Sequence, residues 1–245
     1  MNHPNPAIVA QNAVRPLPRW VLLLLCVGYV IFGFVGRDPW RNTDITAFGY
    51  MRELALGNTS WLSPTLGGLA PDIDGLLPYW LGAWAIRLTP SWIPMEFAAR
   101  LPFIAMLALT LAATWYSVYY LARQPGAQPV AFAFGGEAYP LDYARAMGDA
   151  GLLALIASLG LAQLSHETTG YLTQLCCTAL VFFAAASIPH RRNLSASFAL
   201  LGLLGLSLSG APTVSVLLGL GSALIVSRSG LASPRKRVES GLILL

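Results

Sequence analysis

The feature that most restricts this chain is the spacing of its charges. Residues 20–36, 101–122, 150–165, 168–189 and 193–227 carry no Asp, Glu, Lys or Arg, and short charged islands separate them. Runs of this length, about 20 residues each, match helices that cross a lipid bilayer. Composition agrees: 56% of the residues are hydrophobic and 11% charged, against about 25% charged in a soluble domain. The expected fold is therefore an all-α integral membrane bundle.

Charge parity orders the spans. Arg15 and Arg19 precede the first run, which places the N-terminal tail, residues 1–18, on the cytoplasmic side. The run is longer than the apolar core of a cleavable signal and lacks a small-x-small site, so it reads as a retained span. Residues 37–99 form the most acidic segment, with Asp38, Asp44, Glu53, Asp72, Asp74 and Glu96, and belong outside. Spans at 101–122, 150–165 and 168–189 follow. Residues 124–149 make a polar cytoplasmic insert turning at Gly135–Gly136. The uncharged stretch 193–227 suits two spans, 194–209 and 211–227, broken at Ser209–Gly210–Ala211–Pro212. Two spans, not one, return Arg235–Lys236–Arg237 to the cytoplasmic side. The expectation is six spans over residues 19–227 and a basic cytoplasmic tail at 228–245, cut short before a further span. The implied location is a membrane of the inner-membrane type, multi-pass, in contact with membrane lipids.

Inside the outer loop, residues 44–56 read as a helix lying flat in the interface. Ile45, Phe48, Met51 and Ala55 fall on its apolar face, Thr46, Gly49, Arg52 and Glu53 on the other, and Gly57–Asn58 ends it. Residues 76–86 read as a second interfacial helix, because Arg87 stops it too early to span and Trp80, Trp84 and Trp92 favour the headgroup level. A short tilted span ending near Pro90 is the competing reading.

The net charge of +4 does not point to nucleic acid, since the basic residues sit at the edges of apolar runs. Cys26, Cys176 and Cys177 lie within apolar runs with no CxxC spacing, which suits helix packing. Gly202, Gly205, Gly210, Gly219 and Gly221 permit close helix approach. Two acidic places share the expected outer face: Asp38 and Asp44 in the first loop, and His166–Glu167 at the start of a span. A carboxylate at the mouth of a bundle is costly unless it is engaged. It can act as a general base, and a His/Glu pair can hold a divalent metal. Structural alternatives stand beside these. Asp44 suits a helix N-cap, and Glu167 is favoured by a helix dipole.

The order Arg37-Asp38-Pro39-Trp40-Arg41-Asn42-Thr43-Asp44, then Arg52-Glu53-Leu54-Ala55-Leu56-Gly57-Asn58, then Trp61-Leu62-Ser63-Pro64-Thr65-Leu66-Gly67-Gly68, followed by Pro78-Tyr79-Trp80-Leu81 and Ala98-Ala99-Arg100-Leu101-Pro102, resembles the first periplasmic loop of the GT-C glycosyltransferases, such as aminoarabinose transferases and protein mannosyltransferases. The resemblance covers residues 19–122 well and 150–227 loosely. It implies transfer of a sugar from a polyprenyl-phosphate donor to a lipid A-like or protein acceptor. Asp44 is then the catalytic carboxylate, with Asp38 as fallback. Arg37, Arg41, Arg52, Asp72 and Asp74 are then substrate-binding residues, the last two standing where the family carries a lysine. Members are about twice this length. No cofactor is required by this reading, and a divalent metal at His166 and Glu167 is permitted. The alternative function is a non-catalytic or truncated membrane protein of the same fold, serving as an assembly partner.

Overall fold

The computed structural model describes residues 7–36, 38–39, 41–72 and 75–228. Among them the regular structure is helical and no strand forms. The α-helices are α1 (Arg19–Phe34), α2 (Asn42–Leu56), α3 (Leu77–Leu88), α4 (Met95–Ala122), α5 (Pro140–Ile156), α6 (Leu159–Leu164), α7 (Gly170–Ser187), α8 (Arg192–Leu208) and α9 (Pro212–Arg228). Of these, α4 and α7 are long and apolar enough to cross a membrane, while α1, α8 and α9 are apolar but shorter.

Helix α7 packs between α4 and α8, and α5 packs on α4. The main core gathers Phe34 of α1, Met51 and Leu54 of α2, Ala83 of α3, Phe103 and Leu107 of α4 and Leu172 of α7. Small residues set the closest approaches. A Cβ on Gly205 would stand 2.4 Å from Cys177 Sγ, and one on Gly202 would stand 2.8 Å from the Cys177 carbonyl oxygen. Cys177 is thus a packing group of the α7–α8 seam, while Cys176 packs with Ala113 and Tyr120 of α4. Gly221, in contrast, faces open space.

Three expected elements shift, each for one reason: a charge ends a helix only where water or headgroups must solvate it. The second span does not begin at 101. Helix α4 starts at Met95 and carries Arg100 inside, 4% exposed, with Nη1 donating to the Phe34 carbonyl at the C-terminus of α1 (3.2 Å). A cation there meets an orphan carbonyl at the negative end of a helix. The helix expected at 150–165 is displaced to α5, which is neither one of the two helices long and apolar enough to cross a membrane nor one of the shorter apolar ones. That helix starts at Pro140 and runs through Asp149, whose oxygens accept from Trp115 Nε1 (2.8 Å) and the Leu17 amide (2.9 Å). It stops at Ile156, and the short α6 follows. The insert 124–149 is accordingly half helix, though its turn does fall at Gly135 and Gly136, both at positive φ.

The helices of the acidic loop also form, but not as a free interfacial pair. Helix α2 ends at Gly57 (φ +79), whose neighbour Asn58 donates its amide to the Glu53 carbonyl (3.0 Å). Its buried face is Asp44, Ala47, Tyr50, Met51 and Leu54, turned against α3 and α4. Ile45, expected on the apolar face, is 49% exposed. Met51 fits so closely on α3 that a Cβ on Gly82 would stand 2.2 Å from its Sδ. Helix α3 has 12 residues, about 18 Å at 1.5 Å per residue, so the competing short-span reading falls below a bilayer's thickness of about 30 Å. Arg87 caps α2, donating to the carbonyls of Ala55 (Nε, 2.8 Å) and Leu54 (Nη2, 3.2 Å) while lying over the Trp61 ring. Trp61 and Trp84 stack, and Trp80 donates to the Trp61 carbonyl (2.7 Å).

The bundle has two distinct ends. At one, the N-terminal segment lies along the insert: Val130 and Ala138 donate to the carbonyls of Ala7 and Val9 (both 2.9 Å), and Gln11 Nε2 donates to Asp142 (3.1 Å). His190 packs on Tyr120 at the same end. At the other end lie the loop of α2 and α3, residues 163–169 and the α8–α9 turn. There a Cβ on Gly75 would meet the Ser209 backbone, and Gln174 donates to the Ser209 carbonyl (2.8 Å).

Candidate functional site

The six residues from Gln163 to Thr168, which run from the end of α6 into the link to α7, receive side chains from two other parts of the chain. Asp44 sits at the third position of α2, with Arg41 as the N-cap residue. Asp44 therefore does not cap its own helix, and the N-cap reading is set aside. Its side chain instead reaches the start of α7. Oδ1 accepts from the Thr168 amide (2.8 Å) and the Thr168 hydroxyl (2.6 Å), and the residue is 1% exposed. No hydrogen bond to its Oδ2 forms among the described residues. The carboxylate lies where the positive ends of two helices, α2 and α7, converge, and that field favours the anion.

One turn back on α2, Arg41 meets the same linker. Its Nη1 donates to Glu167 Oε1 (3.3 Å). With the Gln163 amide oxygen turned toward the guanidinium, Gln163 accepts from Nε (3.2 Å) and Nη2 (3.0 Å). The Arg41 side chain is 44% exposed while Glu167 is 1% exposed, so the guanidinium forms the accessible rim over a buried carboxylate.

His166 turns the other way. Its Nδ1 lies 2.6 Å from the Ala162 carbonyl and its Nε2 lies 2.8 Å from the Tyr29 carbonyl, with the ring against Tyr29 and Phe34. Nδ1 also lies 3.3 Å from the Ser165 hydroxyl, so each ring nitrogen has a polar partner. The geometry fastens α1 to the linker, while the neighbouring Glu167 is engaged by Arg41. Among the described residues no group of three His, Cys, Asp or Glu side chains is placed to hold a metal ion.

The other sequence candidates scatter. Asp38 is exposed at the start of the loop. Arg52 pairs with its neighbour Glu53 (3.5 Å), eight residues beyond Asp44 and so about 12 Å along α2. Asp72 is exposed near Tyr50 and Tyr79. Burial first, then Tyr50 and the Asp72 charge, push the Tyr79 phenol up to about 12. Arg37 and Asp74 lie outside the described residues, as does the tail 229–245. Two contributors were missed by sequence reasoning, Gln163 and Thr168. The Thr168–Thr169 pair before Gly170 is a helix-start signal that could have flagged the second. Thr169, the N-cap residue of α7, keeps a buried hydroxyl with no hydrogen-bond partner among the described residues.

Compared with family models, curated proteins and solved structures, the chain has no match.

Proposed function

We propose that this chain is a membrane glycosyltransferase, or the corresponding part of one. In this reading it moves a sugar from a polyprenyl-phosphate donor to a lipid or protein acceptor at the outer face of a bacterial inner membrane, with its N-terminus cytoplasmic. The observation that carries the reading is the Asp44–Thr168 tie, 124 residues apart in sequence. It brings the carboxylate of the acidic loop, the Arg41 guanidinium and a helix N-terminus to one place at one end of the bundle. Membrane residence is supported by α4 and α7 and by the side chains left exposed on the shorter apolar helices, such as Leu23 (63%), Phe32 (87%), Leu217 (69%) and Ile225 (68%). An apolar surface of that kind needs a non-aqueous cover.

The chemistry follows from the two oxygens of Asp44. Thr168 holds Oδ1, which fixes the carboxylate plane and leaves Oδ2 to take the proton of an acceptor hydroxyl. The acceptor oxygen then bonds to the anomeric carbon from the face opposite the leaving group. The bond from that carbon to the phosphate oxygen breaks, and the polyprenyl phosphate departs with the electron pair. Arg41, exposed on one side, neutralises the phosphate as its charge grows, exchanging part of its interaction with Glu167.

One observation favours a second reading. At 1% exposure, Asp44 suits a structural strut docking α2 onto α7, as in a non-catalytic assembly partner. Asp44→Asn separates the two, because Asn still accepts from Thr168 at its carbonyl oxygen but cannot take a proton. A strut tolerates that change and a general base does not.

A further inference from the structure

A cleft of about 750 Å³ opens on the flank of the bundle between α1, α4 and α5, at the end carrying the N-terminal segment and far along the helices from Asp44. Its walls are apolar: Leu22, Val27 and Ile31 of α1, Ala108 and Ala112 of α4, and Leu152 of α5. From Arg19 to Ile31 it follows α1 for twelve residues, about 18 Å. Its volume lies within the range of about 300–1,000 Å³ common to small-molecule sites. Two arginines, Arg19 and Arg145, line the cleft at the end nearest the N-terminal segment. Neither makes a hydrogen bond or ion pair among the described residues. The one carboxylate in the lining, Asp149, is held by Trp115 Nε1 and the Leu17 amide rather than by either arginine, and two guanidinium groups against one carboxylate leave the lining net positive. Basic residues at a bilayer surface attract anionic headgroups, and guanidinium groups are suited to phosphate.

We propose that this cleft holds an anionic phospholipid of the adjoining leaflet, its phosphate between Arg19 and Arg145 and one acyl chain along the groove of α1 and α4. The proposal rests on the chain's residence in a membrane but not on sugar transfer. Trp115, which lines the cleft, is the reporter. The full chain is reconstituted in phosphatidylcholine vesicles containing phosphatidylglycerol as a minor component, with brominated acyl chains on one lipid or the other at equal bromine content. Trp115 quenching is read as the difference between the parent and Trp115→Phe. The expected result is quenching several-fold stronger when phosphatidylglycerol carries the bromine, with the difference abolished in the Arg19→Gln/Arg145→Gln double variant. Native mass spectrometry gives an independent readout that needs no tryptophan change: one phosphatidylglycerol retained by the parent and lost from the double variant. Equal quenching by both lipids, or a preference that survives the double variant, overturns the assignment while leaving membrane residence intact. Absence of quenching by either lipid overturns the membrane reading as well.

Discussion

A single methyl group tests how the linker is fastened to α1. Replacing Gly33 with Ala puts a Cβ 1.7 Å from Cδ2 and 2.3 Å from Cγ and Nε2 of His166, so the imidazole must leave its seat. Both ring nitrogens then lose their carbonyl partners at Ala162 and Tyr29, at about 1 kcal/mol each for ordinary hydrogen bonds and more if the ring is charged. Forcing an extra carbon into packed surroundings adds about 1–3 kcal/mol. The expected loss is therefore about 3–5 kcal/mol. At roughly 2–4 °C per kcal/mol for a chain of this size, thermal unfolding followed by helical circular dichroism in detergent should fall by about 6–20 °C. The second half of the test is rescue. His166→Ala alone also destabilises, but it empties the space, so Gly33→Ala added to it should cost little further. The two changes must therefore be strongly non-additive. A Gly33→Ala variant that melts with the parent, or a double variant whose losses simply add, refutes the close approach of α1 to His166.

Other perturbations follow from the same geometry. Thr168→Val keeps the backbone donor to Asp44 but removes the 2.6 Å hydroxyl donor; unfolding should show a loss of about 1.5–3 kcal/mol, the range for a bond to a charged acceptor, and no loss when Asp44→Leu is already present. Gly205→Ala, whose Cβ would stand 2.4 Å from Cys177 Sγ, should destabilise the α7–α8 seam by about 1–3 kcal/mol, with partial recovery in Cys177→Ala, measured by thermal melts. Burial and, second, the Arg123 guanidinium hold His190 below its ordinary value of 6.5. Its contribution is therefore present above pH 6.5 and is lost as pH falls below that toward the folded value. Arg123→Gln should move the titration of His190, followed by NMR, upward, and an unchanged midpoint would contradict the assignment.

The sequence discloses helices more readily than it discloses what covers them. The apolar runs locate α1, α4, α7, α8 and α9, because an uncharged stretch of that length has few alternatives, and the break between α8 and α9 falls at the expected Ser209–Gly210. Boundaries set by charge fail at Arg100 and Asp149. Both are buried because a carbonyl of α1 and donors from Trp115 and Leu17 complete them, and those partners are distant in sequence. The same blindness misplaces the apolar face of α2: periodicity around Ile45 and Phe48 says that one side is apolar but not whether lipid or α3 receives it. Within the site, Asp44 and Glu167 stand out as acids at the ends of apolar segments. Gln163 and Thr168 do not, since an amide and a hydroxyl beside a helix start have ordinary structural uses. His166 reads as a ligand in sequence because its residue type suits metals; the two carbonyl oxygens that face its ring, from Ala162 and Tyr29, are not legible there.

The central claim rests on Asp44. The measurement that reaches it most directly is sugar transfer by the Asp44→Asn variant in the full-length protein, reconstituted in vesicles with a polyprenyl-phosphate sugar and an acceptor lipid, with folding monitored by helical circular dichroism. The account predicts a variant that remains folded, because Asn accepts from Thr168 where Asp did, and whose transfer falls by at least about 100-fold, the lower bound for removing a general base. Transfer at the parent's rate in a folded Asp44→Asn variant would contradict it and leave Asp44 as a strut between α2 and α7.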